Sequence, residues 1–320
     1  MNRMMNTAEQ IKPVVNVAVA VVQDSNGRVL LAERPQGKAS AGYWEFPGGK
    51  FEGTETAEHA LVRELHEEVG VELDVACPWL TYEHEYPDKR VRLHFFRVLA
   101  WHGMPRGHEG QRLSWEDPSA LGVGPLLPAN DWVLRALALP AVYAITDTDK
   151  FGVAGFMARL EAALERGVRL IQVRERNKTA DQITQIARGI VARAHRYGAR
   201  VLVANDIGVA RRVGADGVHL GPEQYMRFTA PPPVPMWAAS CHDAHELARA
   251  AQLGADFVVL SQVLPTKSHP GVTGLGWKKF EELTRGYPLP VYALGGMKPD
   301  LLGTAMRHGA HGIGMHAAIW

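Results

Sequence analysis

Gly49–Val71 reads GKFEGTETAEHALVRELHEEVGV and is entered through Trp44-Glu45-Phe46-Pro47-Gly48. Ala57, Ala60, Leu61, Leu65 and Val69 recur at helical spacing, which predicts a helix over Thr56–Val69 with one apolar stripe, stopped by Gly70. Glu64, Glu67 and Glu68 stand three and four residues apart, so their carboxylates crowd one helical edge where like charges repel. Something positive must compensate. Hard cations such as Mg²⁺ take oxygen ligands and bind through a few carboxylates together with phosphates, so the edge predicts a cation site that serves a pyrophosphate. An ordinary solvated, Glu-rich helix face is the plainer alternative.

The full spacing decides against that alternative. Gly49, Glu55, Arg63, Glu64, Leu65, Glu67, Glu68, Gly70 and Val71 fill every fixed place of the Nudix box, a coincidence on the order of one in a million from average residue usage. Over this stretch the chain resembles the Nudix hydrolases. The resemblance implies cleavage of a nucleoside diphosphate linked to another group. It also implies that Glu64, Glu67 and Glu68 hold Mg²⁺, with Mn²⁺ as the alternative ion, that Arg63 orients the glutamates, and that Gly48 offers a backbone carbonyl to the metal.

Trp44–Lys50, WEFPGGK, is close to the wording of the MutT branch, the 8-oxo-dGTP diphosphatases. Glu83–Lys89, Gly107–Gln111 and Leu127–Asn130 resemble the same branch. There the resemblance implies Glu109 as a further metal ligand or base, and Asn130 as the reader of a purine edge. Catalysis would then rest on Glu64, Glu68, Glu109 and Arg63, with the choice of base open between Glu109 and a box glutamate. An amide sets a donor beside an acceptor, which suits two adjacent purine positions; a helix N-cap is the structural alternative for Asn130. Arg34, Phe46, Tyr86 and Lys89 complete the expected substrate contacts, with Phe46 stacking on the base. Lys89 stands where many relatives carry Arg, so a bidentate contact there is reduced to a point charge.

With 320 residues, 46% of them hydrophobic, the chain is long enough for two domains. Residues 1–138 are expected to form a Nudix α/β/α sandwich around a mixed sheet. A net charge of +1 leaves no footprint for a nucleic-acid polymer and points to a small-molecule nucleotide substrate. Cys77 and Cys241 lack metal-type spacing and are expected as buried hydrophobes in a reduced compartment. The opening MNRMMNTAEQIKP has no signal-peptide core and Val14–Val22 is too short to span a bilayer, so a soluble cytoplasmic protein with no membrane partner is expected. A homo-oligomer is left open.

Residues 139–320 alternate short β runs with helical spacers, eight strands in all, which predicts a C-terminal (β/α)₈ TIM-type barrel lacking a full last helix. The join helix, through Trp132, Leu134 and Leu137, or a partner subunit is expected to cover the flank left bare. Arg174, Arg176, Asn205, Asp206, His242, Thr266, Lys267, Gly295, Gly296 and Gly314 fall just after strands, where barrels place their sites. Gln172–Glu175, Asn205-Asp206, Gly214–Gly221, Pro265–Lys267 and Leu294–Gly296 resemble the thiamine phosphate synthase and thiazole tautomerase (TenI-like) family. Arg176 replaces that family's lysine, and Gln224 replaces a metal-binding aspartate. Asp206 is left as the single charged ligand, and His242 is the candidate for proton transfer.

Three functions follow from these readings. The leading one is an 8-oxo-dGTP diphosphatase for nucleotide-pool sanitation, carrying a barrel that takes a thiazole phosphate or another phosphorylated ligand. The second is a thiamine-pathway enzyme, with synthase or tautomerase chemistry in the barrel and a Nudix half acting on thiamine-type pyrophosphates. In the third, the barrel is a non-catalytic module that binds a phosphate ligand.

Overall fold

The β-branched run Val14–Val22 forms β1 in the computed structural model, which describes residues 12–266, 271 and 273–320. The start of the chain, read above as free of a signal peptide, and Lys267 lie outside the described residues, apart from Lys12 and Pro13. The remaining early strands are β2 (Val29–Glu33), β3 (Trp44–Glu45), β4 (Gly48–Lys50), β5 (Glu72–Glu85), β6 (Arg90–His102) and β7 (Leu113–Glu116). β1 lies between antiparallel β4 and parallel β6, with β5 beyond β6, so this is a mixed four-stranded sheet. β2 lies between β3 and β7 in a second, antiparallel sheet.

The Nudix-box helix is α1 (Ala57–Val69). Thr56 caps it by accepting from the His59 amide at 3.3 Å, and Gly70 ends it in the left-handed conformation. Its stripe of Ala60, Leu61, Leu65 and Val69 packs on Ala18, Ala20 and Val22 of β1 and on Phe96 and Val98 of β6. The alternation along both strands is the period-two signature of a sheet face. Small residues at 18 and 20 let the helix lie close to the sheet.

Contacts divide the chain into two units. One runs to Ala76 and takes in Thr81–Asp117 and Leu121–Asn130; the other consists of Cys77–Leu80, Pro118–Ala120 and Asp131–Trp320. α2 (Asn130–Leu137) therefore groups with the second unit from its second residue onward.

In sequence, Val14–Val22, the turn Asp24–Gly27 and Val29–Ala32 read as a hairpin leading to the box, and that expectation needs correction. The Asp24–Gly27 turn is present, with Asp24 Oδ1 accepting from the Asn26 and Arg28 amides at 2.9 Å. The flanking strands, however, do not continue as a paired hairpin. They meet at the single bridge Gln23–Val29 and enter different sheets, because β1 already has β4 and β6 on its two sides.

The second unit is a closed barrel of eight parallel strands: β8 (Val142–Ile145), β9 (Leu170–Val173), β10 (Arg200–Ala204), β11 (Gly217–Leu220), β12 (Trp237–Cys241), β13 (Phe257–Ser261), β14 (Val291–Leu294) and β15 (Gly312–Met315). Tyr143, Leu170, Leu202, Phe257, Val259 and Tyr292 share one cluster, while their strand neighbours Ala144, Ile171, Val201, Val258 and Ala293 join the larger cluster with the helices. That division is the barrel alternation of inward and outward side chains.

No helix follows β15 among the described residues. Trp132 of α2 packs on the barrel core, whereas Leu134 and Leu137 do not join that cluster, and Ile319 and Trp320 add cover that was not expected. The Trp320 indole N–H donates to the Ile145 carbonyl at 2.7 Å, and its ring meets Phe156 edge-on. Cys77 and Cys241 are both buried, as expected. No helix of the described residues is long and apolar enough to cross a membrane.

Candidate functional site

α1 carries the glutamates, and β4 supplies the backbone that makes room for them. A Cβ built on Gly49 would fall 2.1 Å from the Glu64 carboxyl carbon, so the carboxylate rests where a side chain would stand. A Cβ on Gly48 would lie 2.1 Å from the Ala18 carbonyl oxygen, and that residue's N–H donates to Glu68 Oε2 at 3.1 Å. The two glycines therefore set the floor of the site.

Arg63 organises the edge. Its guanidinium grips Glu55 with two hydrogen bonds, at 2.8 and 2.9 Å, and reaches the Lys50 carbonyl at 3.0 Å, Glu64 Oε1 at 3.0 Å and Glu67 Oε2 at 3.1 Å. The Arg63 hydrogen bonds hold Glu55 down at about 2. Glu67 is 58% exposed and turned toward Arg63.

Glu68 is in the opposite state. Among the described residues its donor is the Gly48 N–H alone, and burial, with Glu64, Glu109 and Glu45 as like charges, pushes it up to about 7. Burial also raises Glu64, against the pull of Arg63.

Glu109 reaches this edge because its loop is pinned to the end of α1. The His108 amide and Gln111 Nε2 donate to the Glu68 carbonyl at 3.0 and 2.8 Å, and the Arg106 amide donates to the Val69 carbonyl at 3.0 Å. These bonds satisfy carbonyls that a helix end leaves without partners. Gln111 Oε1 in turn accepts from the Glu109 amide at 2.8 Å. Lys38, on the loop between β2 and β3, closes the rim with Nζ 2.5 Å from Glu109 Oε2. Glu109 as partner raises the lysine above its ordinary value.

Sequence reasoning assigned neither Gln111 nor Lys38, although Gln111 stood inside a quoted motif. It also missed Glu45, which Arg34 contacts at 2.5 Å and which burial raises.

A divalent cation fits this donor set by its chemistry, since the edge offers oxygen ligands with more negative charge than Arg63 and Lys38 offset. Among the described residues, no three His, Cys, Asp or Glu side chains are already gathered as a metal cage. Arg63 holds Glu64 and Glu67 and Lys38 holds Glu109, so Glu68 is the carboxylate of this edge with no cationic partner among the described residues.

The expected substrate contacts divide. Asn130 is the first residue of α2, 5% exposed, with Nδ2 3.5 Å from the Trp44 carbonyl. Arg34 is committed to Glu45 and to the Ala39 carbonyl. Phe46 is 2% exposed, so the expected stacking ring is instead a core side chain with no face open to a base. Tyr86 and Lys89 occupy the turn between β5 and β6, where Lys89 lies 5.9 Å over the Tyr86 ring. The Tyr86 ring also meets His84 and the Tyr86 carbonyl accepts from Lys12, while Lys89 lies 3.9 Å from Asp88.

The barrel has a second candidate site, a cavity of about 760 Å³ lined by Arg174, Arg176, Asn205, His242, Thr266, Gly295, Gly296 and Gly314. Arg174 is held below the ordinary arginine value by burial and by Arg176, so the two guanidiniums present positive charge to the cavity. Gly295 and Gly296 both have positive φ, and a side chain on either would strike Gln262 or Leu264.

Asp206 is not in the lining. It caps the helix Ile207–Val213, with Oδ1 accepting from the Val209 amide at 2.7 Å. Gln224 Nε2 donates to the Asn205 carbonyl at 2.8 Å, and its Oε1 is buried with no partner among the described residues. A neutral amide at this position brings no negative charge to a divalent cation.

His242 is half-exposed, with Nδ1 2.8 Å from Glu246 Oε2. Sequence reasoning overlooked His219, which lines the same cavity between the Tyr143 hydroxyl at 3.1 Å and Ser240 Oγ at 2.8 Å. Burial, with Arg174 nearby, pushes it down to about 3, so it is neutral.

Comparison with known proteins gives a match for each half. Residues 12–138 match the NUDIX domain family, and residues 142–319 match the thiamine monophosphate synthase family, TMP-TENI. The chain is 36% identical over 184 residues to the putative thiamine-phosphate synthase 2 of Aquifex aeolicus, covering 55% of this chain and 96% of that protein. It is 37% identical over 126 residues to an 8-oxo-dGTP diphosphatase of Haemophilus influenzae, covering 39% and 93%. It is also 40% identical over 118 residues to a CTP pyrophosphohydrolase of Escherichia coli, covering 37% and 87%.

Proposed function

We propose that this chain, a hydrolase acting on acid anhydrides that belongs to the NUDIX family through its first half and to the TMP-TENI family through its second, cleaves 8-oxo-dGTP with water to 8-oxo-dGMP and pyrophosphate. The observation that supports the reading best is the state of Glu68, raised to about 7 beside Glu64 and Glu109 with one backbone N–H as its donor. Carboxylates so placed take up a divalent cation, Mg²⁺ first and Mn²⁺ as the alternative, which supplies charge to offset that on the phosphate oxygens. Arg63 fixes Glu64 through a hydrogen bond to Oε1 at 3.0 Å. Glu109, tethered through Gln111, and Glu68 are the two carboxylates placed to accept the proton of the attacking water.

Asn130 is the proposed base reader, because its amide sets a donor beside an acceptor and a wrong base would leave one of them unpaired. Two relatives act on different bases, so the test is pyrophosphate release from 8-oxo-dGTP, dGTP and CTP in Mg²⁺. The reading expects the highest kcat/KM for 8-oxo-dGTP. A higher value for CTP would transfer the assignment to a cytosine nucleotide.

For the barrel, residues 139–320, we infer binding of a phosphorylated small molecule such as a thiazole phosphate, without metal-dependent condensation. Arg174, Arg176 and the Gly295-Gly296 turn support the phosphate, and Asp206 and Gln224 argue against the cation. The His242–Glu246 contact favours proton transfer as the second reading, because a carboxylate on one ring nitrogen orients the other. Calorimetric titration with thiazole phosphate tests the ligand, and no heat of binding at millimolar ligand would remove it.

A further inference from the structure

Lys38 sits on a loop built to hold it at the rim of the Nudix site. The base of the loop is closed by the Arg34 amide donating to the Tyr43 carbonyl at 2.8 Å and the Gly42 amide donating to the Arg34 carbonyl at 2.9 Å. Arg34 Nε staples its interior by donating to the Ala39 carbonyl at 2.7 Å. Opposite stands Glu109, fixed to α1 through Gln111, and the two charged ends meet at 2.5 Å. The ammonium also feels the charge of Glu68.

Both partners are close to half-exposed, 47% and 44%, so the pair is readily exchanged. The four-carbon stem carries a point charge that needs no fixed geometry, unlike the planar fork of an arginine. A nucleoside triphosphate brings a chain of negative oxygens to this rim, and its divalent cation competes with Lys38 for Glu109. Nothing in the sequence motifs accounts for a cation at this place in the loop.

We propose that Lys38 is a phosphate-contacting residue of the Nudix site, held on Glu109 in the free protein and handed to the β- and γ-phosphates when a nucleoside triphosphate binds. This rests on the hydrolase reading above. The test uses the full chain with Mg²⁺ and compares wild type, Lys38→Met and Lys38→Arg, reading KM and kcat for 8-oxo-dGTP and dGTP, inhibition by 8-oxo-dGMP, and melting temperature. Lys38→Met is expected to raise KM for the triphosphates about tenfold, with a smaller change in kcat and a shift of less than about twofold in inhibition by the monophosphate, which lacks the contacted groups. Lys38→Arg should restore most of the loss.

An unaltered KM in folded Lys38→Met, with wild type active, would overturn the role of Lys38 alone. Equal weakening of triphosphate and monophosphate would also overturn it, by marking the lysine as a support of the loop. If the wild type releases no pyrophosphate from any of 8-oxo-dGTP, dGTP and CTP, the hydrolase reading falls and this proposal falls with it.

Discussion

The carboxylate of Glu64 occupies the space that a side chain on Gly49 would fill, its carboxyl carbon 2.1 Å from the Cβ position. A glutamate at the edge of a helix and a glycine on a neighbouring strand therefore form one device, in which the missing side chain places the charge.

Gly49→Ala should separate chemistry from folding. The clash is with the free end of a flexible side chain, so the helix stays and the carboxylate moves. We expect unchanged circular dichroism and a loss of about a hundredfold in kcat, the scale of removing a well-placed electrostatic group. A variant with normal turnover would show that the position of Glu64 does not matter.

Glu68 should make stability depend on pH when no divalent cation is present. Its folded value, about 7, lies above the ordinary 4.5. Between those values the folded chain binds more protons than the unfolded chain, so stability falls as pH rises through the window, by on the order of 3 kcal/mol at most. Urea midpoints in EDTA at pH 5 and pH 8 should separate more in wild type than in Glu68→Gln. The same separation in both would place the titration elsewhere.

Asn130→Ala should narrow the preference for 8-oxo-dGTP over dGTP while leaving slow hydrolysis, because the base reader is separate from the carboxylates. Loss of a paired buried amide contact is worth about 1–3 kcal/mol of discrimination. Equal losses on both nucleotides would mark Asn130 as a support for α2 and Trp44.

The barrel should make negligible thiamine phosphate in Mg²⁺, since Asp206 lies outside the cavity lining and Gln224, a neutral amide bound to the Asn205 carbonyl, brings no negative charge. Product formation by the purified chain, followed by chromatography, checks this. Efficient Mg²⁺-dependent condensation would contradict the reading of both residues.

The legible parts of the chain were those in which local pattern and final environment agree. The stripe of α1, its Thr56 cap and its Gly70 stop are local, and the eight barrel runs are short and buried on both faces. β5 escaped notice because Glu72–Glu85 buries Cys77, Trp79 and Leu80 around an exposed Pro78 and mixes exposed and half-buried positions elsewhere, without steady alternation. The parting of β1 from β2 is a matter of tertiary pairing, and a turn motif carries no information about which strands flank it.

At the sites, the box motif led to the charged edge but not to its rim. Lys38 and Glu109 are 71 residues apart, and only the folded loops bring them together. Asp206 shows the reverse limit: a carboxylate after a strand reads alike in sequence as a ligand or as an N-cap, and the cap is visible only in its hydrogen bond to Val209. Phe46 shows it again, since an aromatic residue reads the same in sequence whether it stacks on a base or fills a core.

The most direct test of the central claim is Mg²⁺-dependent pyrophosphate release from 8-oxo-dGTP by the wild-type chain and by Glu68→Gln. The substitution keeps an acceptor for the Gly48 N–H and removes the charge. The account predicts release by the wild type and a loss of more than about a hundredfold in a folded Glu68→Gln variant. Near-normal turnover by that variant, with its fold intact, would contradict the assignment of the carboxylate edge as the metal-dependent site.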